Sequence, residues 1–198
     1  SIDKIGFQKP FLKWVGGKSQ LLNTILKYIP KQFNNYHEPF LGGGSMLFAI
    51  LTLHKNHQID IQGEIYAYDL NKNLINLYKD IQTNKDQLFA CISKFINEYN
   101  SISGTVINRK ATTLDEALSS KESYYYYLRQ MYNKNNPDSS TVLMSALFII
   151  LNKLCFRGLY RTGPNGFNVP YGHYKKTPSI IKKEDLCTIS NLIQNVHF

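Results

Sequence analysis

Three consecutive glycines, Gly42-Gly43-Gly44, separate a short aromatic run, Tyr36 to Phe40, from Met46, Leu47, Phe48, Ile50 and Leu51, which read as a buried helix. This order predicts a strand, a glycine turn and a helix, and a turn without side chains lets backbone N–H groups approach a ligand where the helix begins. By itself a glycine triplet is as compatible with a plain flexible turn. A second strand is expected at Glu64 to Tyr68, ending on Asp69. The 27 residues from Gly42 to Asp69 are close to the spacing at which a doubly wound sheet sets an acid against a ribose diol. Together the two features favour an α/β fold with a nucleotide-like ligand at the turn.

The segment before the turn has its own signature, Phe11-Leu12-Lys13-Trp14-Val15-Gly16-Gly17-Lys18. Leu21, Leu22, Ile25, Leu26 and Ile29 then recur at helical spacing until Pro30, so a helix is expected there. Gly17-Lys18-Ser19 imitates the end of a phosphate-binding loop, but Leu12 stands where that motif needs its first glycine, which disfavours an ATPase. Trp14, the single tryptophan, is either a core anchor or an aromatic wall for an adenine-like ring. Its place beside two glycines and Lys18 favours the wall.

From Asn71 onward the pattern is helical. Leu88, Ile92, Phe95, Ile96 and Tyr99 form one stripe, Val142 to Phe156 reads as a nearly all-apolar helix, and polar Asn100 to Thr113 reads as a loop. Tyr124 to Tyr127 are consecutive, so on a helix they face different sides and read as packing. Gly158 to Pro178 is rich in glycine and proline and is expected to be irregular or hairpin-like. Leu186, Ile189, Leu192, Ile193 and Val196 resume helical spacing.

With 198 residues and 43% hydrophobic composition the chain can bury a core, and its net charge of +9 points to a polyanionic partner. The longest apolar stretch, Val142 to Leu151, is about half a spanning helix and no signal-like segment opens the chain, so a cytoplasmic or intracellular protein without a membrane is expected. Cys91, Cys155 and Cys187 are too far apart to suggest a disulfide framework or a zinc site. His54 and His57 read as surface residues, and no metal is expected. Lys153, Arg157, Arg161, Lys175, Lys176, Lys182 and Lys183 have no acid between them and alternate with Phe156, Tyr160, Phe167, Tyr171 and Tyr174. Such a strip suits phosphate contact, stacking and base-edge reading, against the plainer alternative of a solvated basic loop.

These residues resemble the Dam-type, alpha-class DNA N6-adenine methyltransferases. Phe11 to Lys18 matches the opening F-x-K-W-x-G-G-K, Glu38 to Ser45 matches the cofactor turn E-P-F-x-G-[GA]-G-[SA], and Asp69 matches the ribose-binding acid. Phe167 to Lys175 matches F-N-V-P-[FY]-G-x-Y-K, and Gly158 to Arg161 matches the preceding G-L-x-R. The resemblance implies an incomplete Rossmann-like S-adenosylmethionine core with an inserted helical target-recognition domain. The expected divisions are 1–71 for the cofactor part, 72–178 for the recognition domain with its basic hairpin, and 179–198 for the return to the core. It implies S-adenosylmethionine at Trp14, Lys18, Phe40, Gly42 and Asp69. It also implies double-stranded DNA at Lys13, Phe156, Leu159, Arg161, Pro170 and His173, with Phe156 and Leu159 as wedges near a flipped base and Arg161 as a base reader. The implied function is site-specific adenine N6-methylation of a restriction-modification or DNA-marking type.

Two departures bear on specificity: Arg157 stands where the family often has Asn, and His173 where it often has Arg, so a GATC site is not implied. A third bears on chemistry. No two prolines are adjacent, so the family's catalytic D-P-P-[YF] is absent from these residues, and Asn168-Val169-Pro170-Tyr171 in the recognition block reads as a decoy. No catalytic residue is therefore assigned. The chain looks like the N-terminal two-thirds of such an enzyme, with a C-terminal complementing segment as a partner. The rival readings are an inactive or split DNA- and cofactor-binding fragment, and an unrelated nucleotide-binding regulator that uses the basic hairpin for RNA.

Overall fold

The computed structural model describes residues 6–134 and 142–198. Strand β2 (Tyr36–Glu38) pairs in parallel with β4 (Ile65–Ala67), which pairs in parallel with β7 (Val196–His197). Two further strands, β1 (Gln32–Phe33) and β3 (Asp60–Ile61), form a second parallel pair. Between β2 and β4 lies α2 (Ser45–Lys55), which buries Ser45 to Leu51 and Leu53 as the run of apolar residues requires. Parallel neighbours need such a crossover, and the helix covers the sheet it connects.

Helix α3 (Lys72–Thr83) follows β4 directly, with the Asn71 side chain accepting from the Leu74 N–H at 3.1 Å. It is followed by α4 (Lys85–Ser101), α5 (Leu114–Ala117), α6 (Lys121–Lys134) and α7 (Val142–Leu154). Helix α7 packs against α3, α4 and α6, and being walled on several sides it can be apolar almost all round. A hairpin, β5 (Thr162–Gly163) and β6 (Gly166–Phe167), and α8 (Lys183–Leu192) complete the chain. One continuous buried cluster runs from Phe11 to Val196, so the sheet and the helices share a core. No described helix is long and apolar enough to cross a membrane.

The expected α/β class is what the structure shows, with several local differences. The helix before Pro30 is short, a 3-10 turn at Ser19–Leu21 and then α1 (Leu22–Leu26); of its apolar stripe only Leu26 is fully buried. Helix α4 runs on to Ser101, past the expected loop start. Val196 is in β7, not in a helix. The Gln82 side chain on α3 donates to the Ile193 and Val196 carbonyls at 2.8 and 2.7 Å, and so ends α8 and aims the chain back along β4. His54 is only partly at the surface: its Nδ1 accepts the Ile61 N–H at 3.2 Å and ties α2 to β3, whereas His57 is exposed. Tyr124, Tyr125 and Tyr126 are buried packing residues, as their spacing implies.

Candidate cofactor turn and nucleic-acid interface

Glycine is required at two positions of the turn between β2 and α2. Gly42 and Gly44 have φ of +53° and +82°, and a Cβ there would stand 2.8 Å from Trp14 Cδ1 and 2.6 Å from the Tyr78 hydroxyl. The turn is tied from three sides. Gly42 N–H donates to Asp69 Oδ2 at 3.0 Å, Asn71 N–H donates to Asp69 Oδ1 at 3.0 Å, and the Tyr78 hydroxyl donates to the Gly42 carbonyl at 3.0 Å. The Leu41 N–H to Tyr68 carbonyl bond, 2.9 Å, continues the β2–β4 ladder to this point, which is why Asp69 reaches Gly42. Each carboxylate oxygen has one of these bonds and retains lone-pair capacity for a further donor.

Lys18 approaches from the other side. Its ammonium donates to the Phe40 carbonyl at 3.0 Å and stands 3.8 Å from Glu38 Oε1. Glu38 is only 4% exposed and accepts the Tyr36 hydroxyl at 2.7 Å. Burial pushes the Glu38 carboxyl above its ordinary range, partly offset by the Tyr36 hydrogen bond and the Lys18 charge. Around the mouth, Phe40 is 76% exposed and Leu70 fully so. Apolar side chains are thus left in water where β2 and β4 end. Trp14 closes the opposite side, its ring 6.1 Å from Phe148 and 5.8 Å from Tyr160, and so bridges the glycine turn to the chain that leads into the hairpin.

The residue before Trp14 begins the basic face. The Asn152 side chain at the end of α7 clasps Lys13 twice, accepting its N–H at 2.9 Å and donating to its carbonyl at 2.7 Å. The Lys13 ammonium lies 4.6 Å from the Tyr174 ring centroid. Half-buried Lys153 has its pKa lowered, by burial first and by the charge of Lys13 second. Phe156 opens a 3-10 turn, 42% exposed, and its N–H donates to the Pro170 carbonyl at 2.8 Å. Arg157, in a left-handed conformation, lays its guanidinium over the Phe156 ring at 5.0 Å. A bridge between Cys155 and Tyr171 brings Phe156 and exposed Pro170 alongside each other. Burial pushes the Cys155 thiol up to about 11, so it is no nucleophile near neutral pH.

Arg161 is exposed on the hairpin, its Nε donating to Asn168 Oδ1 at 2.7 Å and its Nη2 to the Asn168 carbonyl at 3.3 Å. Leu159 is half-buried against the core. His173 has φ +50°, is exposed, and places Nε2 3.7 Å from Glu122 Oε1. Lys13, Phe156, Pro170, His173 and Arg161 therefore belong to segments that are directly bonded or bridged to one another. Asn168, Val169 and Tyr171 are each tied into the fold. Arg161 holds Asn168, the Val169 carbonyl accepts from the Tyr125 hydroxyl at 2.7 Å, and buried Tyr171 pairs with the Tyr99 hydroxyl at 2.6 Å.

Sequence reasoning missed Tyr78, Asn152, Glu122 and Asn133, whose side chain on α6 is bonded to both the N–H and the carbonyl of Phe167. Asn152 had a usable signal, an amide closing an apolar run; the others pair with residues distant in sequence and had none.

Residues 14–198 match the family described as D12 class N6 adenine-specific DNA methyltransferase. The chain is 38% identical over 194 residues to the Type II methyltransferase M.MjaIII of Methanocaldococcus jannaschii, covering 95% of this chain and 60% of the relative. It is 33% identical to the Type II methyltransferase M1.LlaDCHI of Lactococcus lactis, covering 94% of this chain and 55% of the relative. To the DNA adenine methylase of Serratia marcescens it is 31% identical, over 85% of this chain and 50% of the relative. The chain thus spans about half the length of the curated relatives it matches. The family match begins at Trp14 and takes in both the glycine turn and the basic hairpin, and the chain belongs to the D12 class of N6 adenine-specific DNA methyltransferases.

Proposed function

We propose that this chain is the cofactor- and DNA-binding part of a site-specific DNA adenine N6-methyltransferase of restriction-modification or DNA-marking type. The observation that carries the reading is the junction at Lys13-Trp14: Trp14 packs on the glycine turn that Asp69 holds, while Lys13 is clasped by Asn152 into the basic face. Ligand turn and polyanion surface meet at one peptide bond.

The chemistry of the turn fits S-adenosylmethionine. Asp69 has lone pairs left for a ribose diol, the Lys18 ammonium has a donor left for a carboxylate, and Gly42 lets backbone come close. Exposed Phe40, with Trp14 opposite, offers apolar surface to an adenine ring. The bound cofactor supplies an electrophilic sulfonium methyl for transfer to the exocyclic amine of adenine. Lys13 and Arg161 would contact the duplex, and half-buried Lys153, whose charge is disfavoured by burial and by Lys13, would gain from a phosphate set beside it. Exposed Phe156, with Leu159 behind it and Pro170 beside it, would take the space left by the extruded base, with His173 on the same segment as Pro170. Residues 72–178 would form the recognition domain. None of these 198 residues is assigned to the chemical step, because D-P-P-[YF] does not occur among them and Asn168 to Tyr171 is already engaged. A segment bearing that tetrapeptide is the partner this reading calls for.

The test is calorimetric titration of S-adenosylmethionine into wild type and Asp69→Ala. Losing the carboxylate removes a charge-assisted bond to the cofactor, so affinity should fall by about 10-fold or more, on the scale of about 1.5–3 kcal/mol. Equal heats for the two proteins, or binding of ATP in place of S-adenosylmethionine, would overturn the proposal.

A further inference from the structure

Outside the motifs, one guanidinium is held as though its orientation matters. Arg109 lies in the loop between α4 and α5, 60% exposed, and its Nε and Nη2 both meet Glu122 Oε1, at 3.0 and 2.8 Å. Glu122 is a first-turn residue of α6 and is only 6% exposed. The same carboxylate oxygen lies 3.7 Å from His173 Nε2, so Arg109 and His173 stand side by side, one from the loop and one from the recognition segment. The loop is pinned as well. The Val106 carbonyl accepts from the Ser119 hydroxyl at 2.8 Å, and the Asn108 N–H donates to the Ser123 hydroxyl at 2.7 Å. The Arg109 guanidinium also lies 5.4 Å from the Tyr126 ring, whose partner Arg129 sits at 4.7 Å.

We propose that Arg109 is a specificity-determining residue that reads a guanine in the target duplex, a role resting on the DNA-binding reading above. With Nε and one Nη2 proton committed to Glu122, the guanidinium keeps its other edge, Nη1 and Nη2, as two parallel donors on an exposed side chain. That fork matches the O6 and N7 acceptors of guanine in the major groove. A phosphate would also accept two such bonds, and charge decides between them. The pairing with Glu122 cancels most of the long-range pull on an anion while leaving the directional donors intact, which suits a neutral base edge better than a phosphate. Pinning the loop at Val106 and Asn108 keeps the fork in place before DNA arrives.

The experiment is selection of duplexes with a randomised central tract by wild type, Arg109→Lys and Glu122→Gln, followed by sequencing and a salt titration. Lysine keeps the charge opposite Glu122 and so the fold, but has no second parallel donor. Wild type should enrich a guanine at a fixed position; Arg109→Lys should lose about 10-fold or more of that preference, as a single bidentate base contact does, with other positions and the salt slope unchanged. Glu122→Gln, which loosens Arg109 and its neighbour His173 without removing either, should weaken the same position. An unchanged guanine preference in both variants, or a loss uniform over all sequences with a shallower salt slope, would make Arg109 a phosphate or structural residue and overturn the inference alone. Wild type that enriches no sequence would overturn the DNA-binding reading beneath it.

Discussion

Glu38 shows how one side chain of the cofactor turn can be read through pH. Burial raises its carboxyl above the ordinary glutamate value, and Tyr36 and Lys18 recover only part of the cost of holding the charge. An acid whose folded-state pKa is raised adds stability that is fully present below its unfolded value and is lost as pH rises through the folded one. Wild type should therefore lose stability as pH climbs from the ordinary glutamate value, and Glu38→Gln should lose less across the same window. Thermal unfolding midpoints of the two proteins against pH check this; curves that run parallel, or a steeper decline in the glutamine variant, would contradict it. At this scale Trp14, Lys18, Gly42 and Asp69 were legible as candidates because local motifs mark them, and the structure gathers them at one turn. Glu38's partner Tyr36 is two residues away and equally local, whereas Tyr78 reaches Gly42 from 36 residues on and could not be read.

Among the elements, the hairpin is bonded twice by one side chain of α6. Asn133 on α6 donates to the Phe167 carbonyl at 2.8 Å and accepts the Phe167 N–H at 2.9 Å, and a Cβ on Gly166 would stand 2.5 Å from Asn133 Oδ1. Strands β5 and β6 have two residues each, too few to hold themselves in water. Asn133→Ala leaves a backbone donor and acceptor of buried Phe167 without partners, a loss of about 1–3 kcal/mol. The expected outcome is a modest fall in melting temperature with a larger loss of duplex binding in a mobility-shift titration; full binding with the melting change alone would separate the hairpin from DNA. The long elements α2, α4 and α7 were legible as hydrophobic runs and stripes. The ends were not: Val196 continues the spacing of α8, and it becomes a strand only through pairing with Ile65 on β4, with Gln82 of α3 holding the Ile193 and Val196 carbonyls.

The whole molecule couples a parallel sheet, whose order is β2-β4-β7, to a helical layer and a basic face through one core. Motif order made the class legible before any coordinate, because each motif is local, and net charge pointed to the polyanion partner proposed above. The joining of the two surfaces at Lys13-Trp14 and the Glu122 anchor of Arg109 are tertiary, and no local pattern encodes them. The central claim is that these 198 residues hold cofactor and duplex but do not complete the reaction, since positioning without a group to orient and polarise the adenine amine forfeits most of the acceleration. The direct measurement is transfer of tritiated methyl from S-adenosylmethionine to duplexes containing all four-base sites, by the 198-residue polypeptide alone, with retention of cofactor and DNA scored in the same sample. The account predicts retention of both and no label in DNA above background. Sustained turnover by the polypeptide alone would contradict it and put Asn168 to Tyr171 in the catalytic position.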